Sequence, residues 1–269
     1  MLYFQKYLYK RGKKRYTHVY GTSRKGEKTV NEREILAYLE RDKPIRIDMI
    51  EAIKRRTAAV VSAEENAVLL KTAAGYYLLA GDTVSACLRA LDAITEKPWA
   101  IVAHGEPARE AVTKRFPHLD RLDPCRQAYY PKTDPIPVPP VCEIKPFPSE
   151  QVSFLLSVYD PEGDAAHYEQ AVAAGNVLAA YRDGKLAGFI GFHGDGSGGM
   201  LEVLPEFRRL GIGSALEIAL HNLALSRGWT PYGQIRVKND ASLKLQESLG
   251  MVVSDPDGDV LYWMYHEDE

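Results

Sequence analysis

The run Gly211-Ile212-Gly213-Ser214 follows two adjacent arginines, Arg208 and Arg209, and opens a helical pattern. Glycine lets a ligand approach the backbone without a Cβ in the way. The first N–H groups of a helix have no intrahelical acceptor, and the positive end of the helix dipole lies there too. Residues of these types at this spacing make an anion site suited to a pyrophosphate, with the arginines adding positive charge.

Other phosphate chemistries lack their residues. The P-loop needs Gly-Lys-Ser/Thr, which does not occur. The dinucleotide fingerprint G-x-G-x-x-G fails here because Leu216 holds its last position. It does occur at Gly194, Gly196 and Gly199, but between two strand-like runs, where it reads as a hairpin loop. No H-x-x-x-H pair supports a zinc hydrolase, and no metal site is expected. Ser197 has Asp195 where a nucleophile elbow needs glycine. DPDGD at 255–259 lacks the following Glu of a calcium loop and reads as a turn.

The elements that must position the glycine run follow from periodicity. GMLEVLP (199–205) reads as a strand leading into it. A helix over 211–227 carries Ile212, Ala215, Leu216, Ala219 and Leu223 on one face. Before that strand come helices at 149–159 and 164–174 and strands at 176–184 and 185–193. After the helix come GQIRVK as a strand, DASLKLQESLG as a helix, and MVVS and DVLYWMY as strands. Residues 31–130 show the same order, ααβββαβαβ, so the chain reads as two copies of one α+β (mixed α/β) architecture. PKTDPIPVPPV at 131–141 has five prolines in eleven residues, which exclude a helix or a central strand. The expected organisation is a basic arm at 1–30, a first domain at 31–130, an extended connector at 131–141 and a second domain at 142–269.

Composition sets the outer limits. With 269 residues, 45% apolar and 26% charged, the chain has the balance of a soluble globular protein. No apolar run reaches the ~18 residues of a membrane span. Three cysteines with no C-x-x-C exclude a disulfide framework. No apolar stretch follows the basic start, so no signal peptide is read and the expected location is cytoplasmic. Net charge is −2, yet residues 1–30 hold nine Lys and Arg against Glu27, which is +8 and leaves −10 for the rest. Basic groups interleaved with tyrosines suit nucleic acid, whereas the acidity of the remaining chain argues against it as the main partner.

The glycine run and its surroundings resemble the GNAT superfamily of acyl-CoA-dependent N-acyltransferases. The pyrophosphate motif Q/R-x-x-G-x-G/A is met by Arg208, Gly211 and Gly213, and the preceding Leu-x-Val-x-Pro by Leu201, Val203 and Pro205. The later N-x-x-A/S-x-x-L-Y-x-x-x-G-F is similar to Asn239, Ser242, Leu245, Gln246, Gly250 and Met251. The likeness covers about 142–266. The two-part layout with LPEFR also resembles the glycine N-acyltransferase group. The resemblance implies a GNAT fold in the C-terminal half and a degenerate GNAT-like N-terminal half. It implies that the backbone of Arg209, Leu210, Gly211, Ile212, Gly213 and Ser214 holds the diphosphate of acetyl-CoA or another acyl-CoA. Val203 would pair its main chain with the pantetheine arm, Asn239 would contact that arm, and Ser242 belongs to the same motif. A small-molecule or peptide amine would attack the thioester directly.

The chain departs from that family at the acid and the base. The Tyr that protonates the leaving thiolate in many relatives is Gln246 here, and a Glu some relatives use as base is Gln234. Glu202 is the preferred substitute base, His193 and Asp195 come second, and Tyr232 is a candidate acid. The first half lacks the arginine–glycine turn, so it is expected to bind no coenzyme A but to cover the catalytic half, with the acceptor received between the halves. Two other readings stay open: an acyl-CoA-binding regulator without catalysis, and a nucleic-acid-associated acetyltransferase that uses the basic arm.

Overall fold

A computed structural model describes residues 31–255 and 257–266. The basic arm at 1–30, with its proposed nucleic-acid reading, lies outside the described residues. In chain order the elements are α1 (Glu32–Leu39), α2 (Lys43–Lys54), β1 (Ala58–Glu64), β2 (Ala67–Thr72), β3 (Tyr77–Gly81), α3 (Val84–Leu91), β4 (Ala100–His104), α4 (Glu106–Arg115) and β5 (Arg121–Tyr129). There follow β6 (Glu143–Pro146), α5 (Val152–Tyr159), α6 (Ala165–Ala173), β7 (Val177–Arg182), β8 (Lys185–Phe192), β9 (Gly198–Val203), α7 (Ile212–Ser226), β10 (Tyr232–Arg236), α8 (Asp240–Ser248), β11 (Val252–Val253) and β12 (Leu261–Tyr265). The expected order is present in both halves. The short strand β6, which periodicity did not reveal, is added.

The described residues form two compact units, and neither is one continuous stretch of chain. The first holds residues 31–128, 235–243 and 252–266; the second holds 129–234 and 244–251. In the first unit the strands run β1-β2-β3-β4-β12-β5. β1, β2 and β3 pair antiparallel, and β3 runs parallel to β4. β12, at the far end of the sequence, is inserted antiparallel between β4 and β5. Its Trp263 is fully buried. The core on one side of this sheet is built from Leu69, Leu79, Cys87, Leu91, Ile101 and Val112.

In the second unit β6, β7, β8 and β9 form an antiparallel meander. Helices α5 and α6 pack with Val177, Ala179, Phe189 and Met200 in one core cluster. Helix α7 packs in another: Ile212, Leu216, Leu220 and Ala224, one turn apart each, meet Ala180, Ala187, Ile190 and Phe192. Residues 131–141 form neither helix nor strand, as their prolines require. They follow α7 instead. Tyr130 stacks on His221, Asn222 exchanges two hydrogen bonds of 2.8 Å with the Ile136 main chain, and Val141 flanks Gly211. This stretch is therefore a strap along the helix within one unit.

Candidate active site

The site begins where β9 ends. β8 and β9 stay in register at Gly188↔Val203 and Phe189↔Glu202, then again at Gly191↔Gly199. The intervening shift places an extra residue in β9, and Met200 has a left-handed φ of 53°. This is a β-bulge, a device that re-aims a strand's side chains and terminates pairing. On its other edge β9 meets β10 only at Gly198↔Gly233. Beyond that position, among the described residues, 199–203 pair with β8 alone. Tyr159, buried at the end of α5, packs in the same core cluster as Met200. No sequence signal singles out Met200 or Tyr159, because methionine does not favour positive φ.

Past Val203 the chain makes a 3-10 turn, Pro205–Phe207, and reaches the arginines. Arg209 has φ 65° and Gly211 φ 77°. Left-handed residues alternating with ordinary ones turn successive N–H groups toward a common concavity, an arrangement that binds anions. Gly211 caps α7 without a side-chain hydrogen bond, and its carbonyl accepts from Ala215 at 3.1 Å. Among the described residues the main-chain N–H groups of 209–214 make no hydrogen bond. A Cβ on Gly213 would meet only Val203 Cγ2, at 3.7 Å, which is ordinary contact. Packing therefore does not demand glycine at 213. Open backbone and unpartnered donors together fit the diphosphate of a coenzyme A thioester.

Arg208 does not point its charge into this concavity. Its Nε donates to the Val203 carbonyl at 2.9 Å and its guanidinium reaches Glu202 Oε1 at 3.1 Å. It ties the strand end to the turn. Glu202 lies partly exposed on β9, two residues from the bulge. His193 is buried, and its ring lies over Gly199: a Cβ there would stand 2.0 Å from Nε2. Burial, with His167 nearby, pushes its pKa down to about 3, so the imidazole is neutral and a weak base. The Tyr232 hydroxyl donates to the Asp195 carbonyl at 2.9 Å, while Asp195 Oδ1 accepts from the main chain and the hydroxyl of Ser197. These contacts order the β8–β9 loop, which also explains its G-x-G-x-x-G: Gly196 takes φ 87° and Gly199 makes room for His193. Asn239 and Ser242 belong to the first unit, where the Asn239 side chain accepts from the Ser242 N–H at 3.1 Å and caps α8. Gln246, in the second unit, is buried, as is Glu217 of α7. Glu217 was not among the sequence candidates, although a Glu on an apolar helix face is a legible signal.

The corresponding place in the first unit is built differently. β3 and β4 stay paired through four successive positions, from Tyr77↔Ile101 to Ala80↔His104. The next helix, α3, is capped by its own Thr83, whose hydroxyl accepts from the Ala86 N–H. A Cβ on Gly81 would lie 2.4 Å from Cys87 Sγ, so this glycine serves close packing. The first unit thus has a zipped strand pair and a self-capped helix where the second has parted strands and open donors.

Residues 145–251 match the model of the Acetyltransferase (GNAT) family. This stretch is a GNAT acetyltransferase domain. Among solved structures, a Drosophila protein is 15% identical with a TM-score of 0.55, the match covering 87% of this chain and 97% of that one. A GCN5-related N-acetyltransferase from Kribbella flavida is 14% identical with a TM-score of 0.53, covering 84% and 96%. At these identities the likeness is one of fold, and it extends over both halves. No curated protein matches the sequence. No helix among the described residues is long and apolar enough to cross a membrane.

Proposed function

We propose that the chain transfers an acetyl or other short acyl group from acyl-CoA to an amine, by direct attack of the amine on the thioester. The observation that carries this reading is the set of unpartnered N–H groups at residues 209–214, beside a β9 edge that has parted from β10. Each hydrogen bond from such a donor to a charged oxygen contributes roughly 1.5–3 kcal/mol. The free edge of β9 suits main-chain pairing with the pantetheine arm near Val203, in the manner of an added strand. A main-chain N–H at the same edge can polarise the thioester carbonyl.

Glu202 is the group we assign as general base. It stands beside the bulge, it is partly open to solvent, and Arg208 fixes its carboxylate. His193 supports the strand end rather than taking a proton, because burial holds it neutral. The first unit supplies no second coenzyme site, since its equivalent strands and helix end are closed by their own contacts.

Calorimetry with acetyl-CoA tests the reading. Binding is expected for the intact chain. Arg208→Ala with Gly211→Asp should raise the KM for acetyl-CoA at least about tenfold, since a carboxylate would replace open space at the helix end. No binding of any acyl-CoA by the intact chain would refute the assignment. Glu202→Gln should lower kcat by about 10²-fold or more and remove the acid limb of the pH–rate profile. An unaltered profile would remove Glu202 from the mechanism.

A further inference from the structure

The strap has little capacity for hydrogen bonding where it nears the anion turn. From Pro135 to Val141 its side chains are those of proline, isoleucine and valine alone. Pro135, Pro137, Pro139 and Pro140 have no N–H. The Ile136 N–H is given to Asn222 Oδ1 at 2.8 Å and the Val141 N–H to the Pro139 carbonyl at 2.9 Å. Val138 holds the remaining main-chain donor of this stretch. Its side chain is 41% exposed, and so is that of Leu210, inside the anion turn itself, at 40%.

The strap also has a defined course. The bond pair between Asn222 and Ile136 fixes it to α7, and it ends with the Val141 methyls 3.8 and 3.9 Å from the place of a Cβ on Gly211. From Asn222 back to Gly211 the helix rises about 16 Å, and extended chain from Ile136 to Val141 spans about the same. The strap therefore runs along α7 and delivers its end to the helix N-terminus. Two unlike elements border the concavity at 209–214. Val203 of β9 stands at the Gly213 side, 3.7 Å from a Cβ placed there, and the strap stands at the Gly211 side.

An acyl-CoA carries two unlike groups on its diphosphate. The pantetheine arm holds amides, which need hydrogen-bond partners when they leave water. The adenosine presents a flat aromatic face, which gains from apolar contact. The β9 edge suits the first, and a ridge with one donor and no charge suits the second. We infer that residues 138–141 of the strap form the wall against which the adenosine end of acyl-CoA packs, with Asn222 as the residue that positions this wall. The inference rests on the acyl-CoA reading above. Proline fixes the shape of the wall before the ligand arrives, which keeps the ordering cost of binding small. The connector between the two repeats thereby takes part in coenzyme recognition.

Calorimetry on the full chain with acetyl-CoA and with acetyl-4′-phosphopantetheine, which lacks the adenosine, separates the strap from the rest of the site. Val138→Asn makes an exposed apolar side chain polar and adds no charge that would repel a phosphate. It should raise the Kd for acetyl-CoA about three- to tenfold, the effect of one or two buried methylene groups, and leave the Kd for acetyl-4′-phosphopantetheine unchanged. Asn222→Ala, which releases the strap from α7, should give the same one-sided loss. A purely structural role would move both ligands together or neither. Equal losses for the two thioesters, or an unchanged Kd for acetyl-CoA in both variants, would overturn the inference and leave the proposed function standing. Should Asn222→Ala fail to fold, Val138→Asn decides alone. A parent chain that binds neither thioester refutes the reading of function, and the inference falls with it.

Discussion

His193 shows how one imidazole can be removed from acid–base chemistry by packing alone. Its ring is enclosed, with Nε2 set against the bare Cα of Gly199, and the neutral form is favoured. The sign of the consequence is definite. The unfolded chain takes up a proton at this residue as pH falls below about 6.5, and the folded chain does not until about 3. Stability is therefore full at neutral pH and falls as pH drops through that window. His193→Gln should flatten this acid-side loss in thermal melts, and an unchanged acid limb would show that the ring titrates freely. Gly199→Ala should be poorly tolerated, since its methyl would stand where the ring lies. Arg208 carries a related lesson. Its charge was expected in the anion site, but the guanidinium is spent on the Val203 carbonyl and Glu202. The donors proposed above for a diphosphate are the main-chain N–H groups that follow it.

At the scale of elements, the proline-rich strap changes character between sequence and structure. Five prolines exclude regular structure but do not say where an extended chain lies. Asn222, half-buried on α7, decides it by exchanging two hydrogen bonds with Ile136. The strap then ends with Val141 against Gly211, at the mouth of the concavity. Asn222→Ala should cost about 1–3 kcal/mol, read as a lower denaturant midpoint, and should speed hydrogen exchange at the Ile136 amide. If exchange there is already fast in the parent chain, the strap is not held as described. The β9 bulge is the second element-level feature. Alternating residues in GMLEV read as a plain strand, because the period of two carries no mark of an inserted residue. The extra residue appears only in the pairing with β8.

For the whole molecule, the order of elements repeats but the assignment of strands does not follow the order of the chain. The last strand, β12, completes the sheet of the first unit, with Trp263 opposite Val102 on one side and Asp123 on the other. Trp263→Ala should destabilise the protein by about 3–5 kcal/mol. Removal of residues 261–269 should unfold the first unit, because β4 and β5 would lose the strand that joins them. Circular dichroism and thermal melting of the truncated chain would check this, and retention of native helix and strand content would contradict it. Loss of that strand would also be felt far from it in sequence, at residues 31–128.

Local pattern determined a great deal: the two αα-leading repeats, the helix behind the glycine run, the two arginines and glycines that precede that helix, and the absence of such a turn after β3. These depend on side-chain periodicity, on glycine and proline, and on neighbours within one or two turns, all of which a sequence states directly. Three features were decided only by folding: the parting of β9 from β10, the burial of Glu217 and Gln246, and the capture of β12 by the other repeat. Each joins residues far apart along the chain, where pairing and enclosure are settled by which surfaces meet. A strand's composition cannot name its neighbour, and a carboxyl's proton affinity is set by what surrounds it.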